Sequence, residues 1–183
     1  MTGWAILGVV VLVFLLLLGA YLSMTAGRLD HLHRRIDSSW LSLDAQLLRR
    51  SSVALELASS GALDPAASLV LAEAAHDART ASDGPADDRA LAESDLTAAL
   101  LVALDEDDIV EVAAAPHGEE MLAELGAACR RVQLSRRFLN DGVRACRQLR
   151  RQRMVRLFGL AGHTPWPDTI EMDDTLPPGL LSR

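Results

Sequence analysis

Residues 4–24 read WAILGVVVLVFLLLLGAYLSM, and residues 25–61 follow as TAGRLDHLHRRIDSSWLSLDAQLLRRSSVALELASSG. The first stretch holds 21 residues without a charge. At about 1.5 Å rise per residue it spans roughly 31 Å, the thickness of a bilayer's hydrocarbon core. Trp4 and Tyr21 stand near its ends, where aromatic rings favour the interface. A cleaved signal peptide would want a basic n-region and a shorter apolar run. Neither is present, so Trp4 to Met24 is expected to be a retained anchor in the lipid bilayer.

Orientation follows from arginine. Arg28, Arg34 and Arg35 lie just after the span and no basic side chain precedes it. The positive-inside rule then puts residues 1–3 outside and the C-terminal domain in the cytoplasm. Asp30 and Asp37 count for little in that rule. The expected location is a bacterial plasma membrane, crossed once.

Past the span, Leu29, Leu32, Ile36, Trp40, Leu43, Leu47, Ala54 and Leu57 recur at mostly three- and four-residue spacing. That is an amphipathic helix, and nothing between Met24 and Leu29 stops the membrane helix from running into it. Gly61 ends it. Asp64-Pro65 supplies an N-cap carboxylate and a proline at the first helical position. The pattern predicts helices over about 28–60, 65–82, 88–104 and 118–158, within a domain covering 25–160. Residues 105–118, acidic and then carrying Pro116 and Gly118, are expected to form a connection with at most one short turn. The last long helix has the inward stripe Leu122, Leu125, Cys129, Val132, Leu139, Val143 and Cys146. The tail 161–183 holds Pro165, Pro167, Pro177 and Pro178 and is expected to be mostly irregular. The fold class is therefore all-α: one transmembrane helix continuing into an elongated antiparallel four-helix bundle.

Composition agrees. Half of the 183 residues are apolar, aromatics make up 4%, and strand-favouring types are sparse beyond residue 25. All 18 basic residues are Arg, which reads as codon bias of a GC-rich genome. Cys129 and Cys146 fall 17 positions apart on one predicted helix, roughly 25 Å, too far to bond.

Charge is segregated. From Glu56 to Glu124 there are 17 acidic residues against Arg79 and Arg89; from Arg130 to Arg156 there are 10 Arg against Asp141. The Arg-rich helix 130–156 either faces anionic lipid headgroups or lies beside the acidic helices of its own bundle. A net charge of −7 argues against nucleic acid as a partner.

Motifs for chemistry are missing. There is no G-x-G-x-x-G, no G-x-x-x-x-G-K-[ST] and no G-x-S-x-G. His31 and His33 point to different helix faces; His33 and Asp37 share one, but two ligands make no metal site. His76, His117 and His163 have no ligand spacing. The run Glu119-Glu120-Met121-Leu122-Ala123-Glu124-Leu125-Gly126-Ala127 faintly resembles the Nudix hydrolase motif, with Glu111 upstream. Glu119 stands for its Arg, Ala123 for a metal-binding Glu and Asp105 for a Gly, which breaks the carboxylate cluster that the chemistry needs. No catalytic, cofactor-binding or metal residue is assigned, no cofactor is expected, and the chain is not expected to be an enzyme.

Two blocks carry a family resemblance. The first is Ile36-Asp37-Ser38-Ser39-Trp40-Leu41-Ser42-Leu43-Asp44-Ala45-Gln46-Leu47-Leu48-Arg49-Arg50. The second is Arg136-Arg137-Phe138-Leu139-Asn140-Asp141-Gly142-Val143, followed by Leu157-Phe158-Gly159. Together with the anchor they resemble the LemA family of bacterial membrane proteins over residues 4–175. Leu139 replaces a Tyr, and Cys146-Arg147 a second Tyr-Asn, as in a divergent branch. The resemblance implies a helical bundle on one anchor with its N-terminus outside, and no reaction. Trp40 reads as a core anchor. Asp37, Asp44, Arg49 and Arg50 read as structural charges, pairing with Arg136, Arg137 or Glu residues. The function expected is a membrane-anchored, non-enzymatic scaffold or protein-partner-binding module. The alternative is an anionic-lipid sensor using the Arg-rich helix.

Overall fold

The computed structural model describes residues 2–162 and 164–181, so His163 lies outside the described residues. They form six α-helices and no strand: α1 Thr2–Ser59, α2 Pro65–Thr80, α3 Ala86–Ala103, α4 Glu106–Ala114, α5 Gly118–Arg150 and α6 Arg153–Leu157. Short 3-10 turns cover Ala81–Asp83 and Pro178–Leu180. The class is all-α, with two helices more than the four expected.

The chain divides into two compact units, Met1–Ser38 with Asp141–Asp168, and Ser39–Asn140 with Thr169–Arg183. α1 and α5 contribute a segment to each.

In the first unit, α1 holds one apolar stretch long enough to cross a membrane, with mean hydropathy 2.9 and none of that window buried. Exposed apolar side chains there would be costly in water and are at ease in lipid. Burial begins at Thr25 and Leu29 and continues at Ile36. In the other segment of this unit Val143, Cys146, Leu149 and Val155 are buried. A Cβ at Gly142 would lie 3.5 Å from Ile36, so these two helix segments approach closely at that level.

The second unit has a core, largely Leu and Ala, drawn from α1 to α5 and the second 3-10 turn, including Leu57, Leu71, Leu96, Leu104, Leu125 and Leu180. Asp64 caps α2, accepting from the amides of Ala66 (2.8 Å) and Ala67 (3.3 Å), with Pro65 opening the helix. Gly61 takes the positive φ (77°) that ends α1.

Three expectations need correction. Residues 105–118 are not a bare connection, because α4 occupies Glu106–Ala114. Asp105 Oδ1 accepts from the Asp108 amide at 2.9 Å, and Ile109 and Val112, three apart, are buried. Gly118 opens α5 where a Cβ would overlap the carbonyl of Val112, after His117 turns through a positive φ of 62°. The last long helix does not run to 158: Gln152 adopts an extended conformation (ψ 137°) that separates α5 from α6. Trp40 is only partly covered; Leu43 and Leu47, on the same stripe, are the closed core positions.

The tail is irregular, as its prolines dictate, yet Ile170, Met172, Leu176 and Leu180 are buried. Its polar backbone is satisfied mostly from α5. In the second unit Asn140 brackets Ile170, donating to its carbonyl and accepting from its amide, both at 3.0 Å. Gln133 donates to the Asp174 carbonyl (2.6 Å), Arg136 grips the Asp174 carboxylate at 2.7 and 2.9 Å, and Arg130 donates to the Leu180 carbonyl (3.0 Å). In the first unit Arg147 donates to Pro167 (2.7 Å) and pairs with Asp168. Arg150 donates to the carbonyls of Thr164 and Pro165, both at 2.7 Å, and stacks on Trp166. Neither expectation for the Arg-rich helix included this contact with the tail. Four of its arginines hold the C-terminal segment.

Candidate functional site

The second unit presents an apolar groove on the outer faces of α2 and α3. Helix α2 buries Leu71, Ala75 and Ala78, and α3 buries Leu96, Leu100 and Ala103. The faces turned away leave Val70, Ala74, Leu91, Ala92, Ala98 and Val102 around a depression of about 660 Å³. Leu91 is 64% and Val102 74% exposed. Isolated exposed apolar side chains are ordinary, but a contiguous set with a polar rim marks an interaction surface. Here the rim is Glu73, Asp77, Asp88 and Asp95, all exposed and none in an ion pair among the described residues. No basic side chain lines the groove. Leu91 to Val102 is 11 positions, or about 16 Å of helix, enough to seat three turns of another helix.

Beneath the groove lies a buried ion pair. Arg50, 1% exposed, donates to Glu93 Oε2 at 2.5 Å, to the Glu93 carbonyl at 2.8 Å and to Thr97 Oγ1 at 3.0 Å. Thr97 donates in turn to the Asp173 carbonyl at 2.8 Å. Asp44 pairs with the buried Arg89, and Arg49 with Glu124 at the surface. Arg49 and Arg50 thus take Glu partners, one of the pairings expected for these charges. Asp44 takes Arg89 instead of Arg136 or Arg137, Arg136 takes Asp174, and Asp37 is exposed. Glu93 was missed because it reads as one of many acids. The signal was its place one turn before Leu96, Thr97 and Leu100, on the inward face of α3.

The histidines are scattered. His31, His76 and His117 are exposed, His33 is partly buried with Nε2 unpartnered, and no group of three metal-ligating side chains occurs among the described residues. Burial pushes the Cys129 and Cys146 thiols above their usual range, and both are free. The Nudix-like residues Glu120 and Glu124 lie on α5, without the strands that such a fold supplies.

No protein family, curated protein or solved structure matches the chain.

Proposed function

We propose that the protein is a membrane-anchored, non-enzymatic scaffold of the LemA type whose α2–α3 groove receives a basic amphipathic helix of a protein partner. The anchor is Trp4 to Met24, retained in a bacterial plasma membrane with the N-terminus outside. The helical domain is then an elongated antiparallel bundle on the cytoplasmic side. The observation that carries the partner reading is the groove: an open apolar floor between four exposed carboxylates with no ion-pair partner among the described residues. A helix with leucine-like residues at i, i+3 and i+7, flanked by Lys or Arg, complements both features. The flanking charges would steer encounter, and contacts to Leu91 and Val102 would supply most of the affinity.

The test is a photo-crosslinking residue placed at Leu91 or Val102 in cells, with Leu134, exposed on α5, as control. The expected result is one discrete adduct from the groove positions. Asp77→Lys with Asp95→Lys should abolish it. Adducts equal to those from Leu134 would end this reading.

A further inference from the structure

The first unit contains a second unexplained concavity, basic where the groove is acidic. On α1, Arg28, His31, Leu32 and Arg35 follow helical spacing and share one face. Opposite them stand Ala145, Gln148, Leu149 and Gln152, and a cleft of about 410 Å³ lies between. No carboxylate lines it. Arg28 and Arg35 have no ion-pair partner among the described residues, whereas Arg144 and Arg147 nearby are paired with Asp141 and Asp168. Two guanidinium groups without an ion-pair partner among the described residues, an imidazole and two side-chain amides supply many donors, and no anion stands among them.

Position supplies the acceptor. Arg28 comes four residues after Met24, about 6 Å along an unbroken helix from the end of the apolar stretch, and Arg35 about 16 Å. The headgroup layer adds about 5–8 Å on each side of the hydrocarbon, so Arg28 stands at its outer edge. The long side chain of Arg35, one face-repeat further out, tilts back toward it, as helical side chains lean toward the N-terminus. The chain opposite runs toward the apolar stretch as its numbers rise: Gly142 is level with Ile36, and the cleft sets 145–152 against 28–35. α6 follows directly after Gln152, which lines the cleft. It buries Val155 and exposes Arg153, Arg156, Leu157 (77%) and, just beyond, Phe158. Exposed apolar and basic residues together in one short element are the pattern of an interfacial element.

We propose that this cleft binds the phosphate of an anionic lipid headgroup, held by Arg28 and Arg35, with Leu157 and Phe158 seated at the acyl boundary. The inference rests on the reading of Trp4–Met24 as a bilayer anchor. It does not depend on the groove. Each cation at an anionic surface is worth about fivefold in affinity, so the two arginines together account for on the order of 30-fold.

The experiment is native mass spectrometry of the full chain released from nanodiscs holding equimolar phosphatidylglycerol and phosphatidylcholine. The wild type is expected to retain phosphatidylglycerol preferentially. Arg28→Gln with Arg35→Gln, and independently Gln148→Leu with Gln152→Leu, should lose that preference. Arg131→Gln with Arg137→Gln, exposed on α5, should keep it. Equal retention of both lipids by the wild type overturns the proposal, as does equal loss in the Arg131/Arg137 control. Displacement by millimolar inorganic phosphate would assign the cleft to a free anion and also overturn it. Carbonate extraction of the same samples separates the two readings. A wild type absent from the membrane pellet fails the anchor; one present there without lipid preference fails only the cleft.

Discussion

Replacing Glu93 by Gln removes one charge from a pair in which both side chains are almost fully enclosed, at 2% and 1% exposure for Arg50 and Glu93. Arg50 would keep its bonds to the Glu93 carbonyl and Thr97, but its charge would stay buried without a counter-ion. Breaking such a pair costs about 3–5 kcal/mol. For a chain of this size each kcal/mol moves Tm by about 2–4 °C, so the expected drop is about 6–20 °C. Arg50→Met should cost a similar amount by stranding the Glu93 carboxylate. The double variant Arg50→Met, Glu93→Met removes both charges at near-constant volume and should recover most of the loss, since hydrophobic replacement of a buried pair is often neutral. Thermal melts of the full chain in detergent, followed by far-ultraviolet circular dichroism, would measure all four species. Single variants each within about 1 kcal/mol of wild type, or a double variant no more stable than the singles, would refute the reasoning. The surface pair Arg49–Glu124, with half-exposed side chains, is the internal control: Arg49→Ala should cost no more than about 1 kcal/mol.

Other expectations follow from the same packing. Leu180→Ala should destabilise by about 2–5 kcal/mol, because the side chain is fully buried although it lies in the irregular tail; denaturant midpoints check this. Asp174→Asn should loosen the tail by weakening the Arg136 clasp, read as faster limited proteolysis after residue 168. Cys129 and Cys146 are buried with thiols pushed toward the protonated form, so neither should react with a thiol reagent until denaturant is added. Hydrogen bonds from Thr175 hold the Asp173 carboxyl below its usual range. A group depressed in the folded state contributes stability above its unfolded value and loses it as pH falls through the folded one. Asp173→Asn should therefore flatten the acid limb of the stability profile.

Much of the fold is legible in residue spacing, because burial follows helical periodicity. The stripe Leu43, Leu47, Leu57 and the stripe from Leu122 to Cys146 are closed positions in the structure. Segments governed by local hydrogen bonds are harder to see. Helix α4 hides behind its acids, although an N-cap at Asp105 and the pair Ile109 and Val112 announce it. The break at Gln152 has no proline or glycine to mark it. The tail reads as irregular and is irregular. What its prolines conceal is the polar stripe Gln133, Arg136, Asn140, Arg147 and Arg150, spaced by three, four or seven along α5. Gln133, Asn140, Arg147 and Arg150 satisfy tail carbonyls, and Arg136 holds the Asp174 carboxylate. Neither candidate site was legible, because a groove between outer helix faces and a cleft between distant segments depend on which faces are left over after packing.

The proposed role requires residues 4–24 to remain in lipid with the helical domain inside the cell. Protease added to intact cells carrying a C-terminal tag, followed by permeabilisation and by carbonate extraction, tests this directly. The tag should survive until the membrane is opened, and the protein should stay in the membrane pellet throughout. A tag degraded on intact cells, or a protein recovered in the soluble fraction, would contradict it.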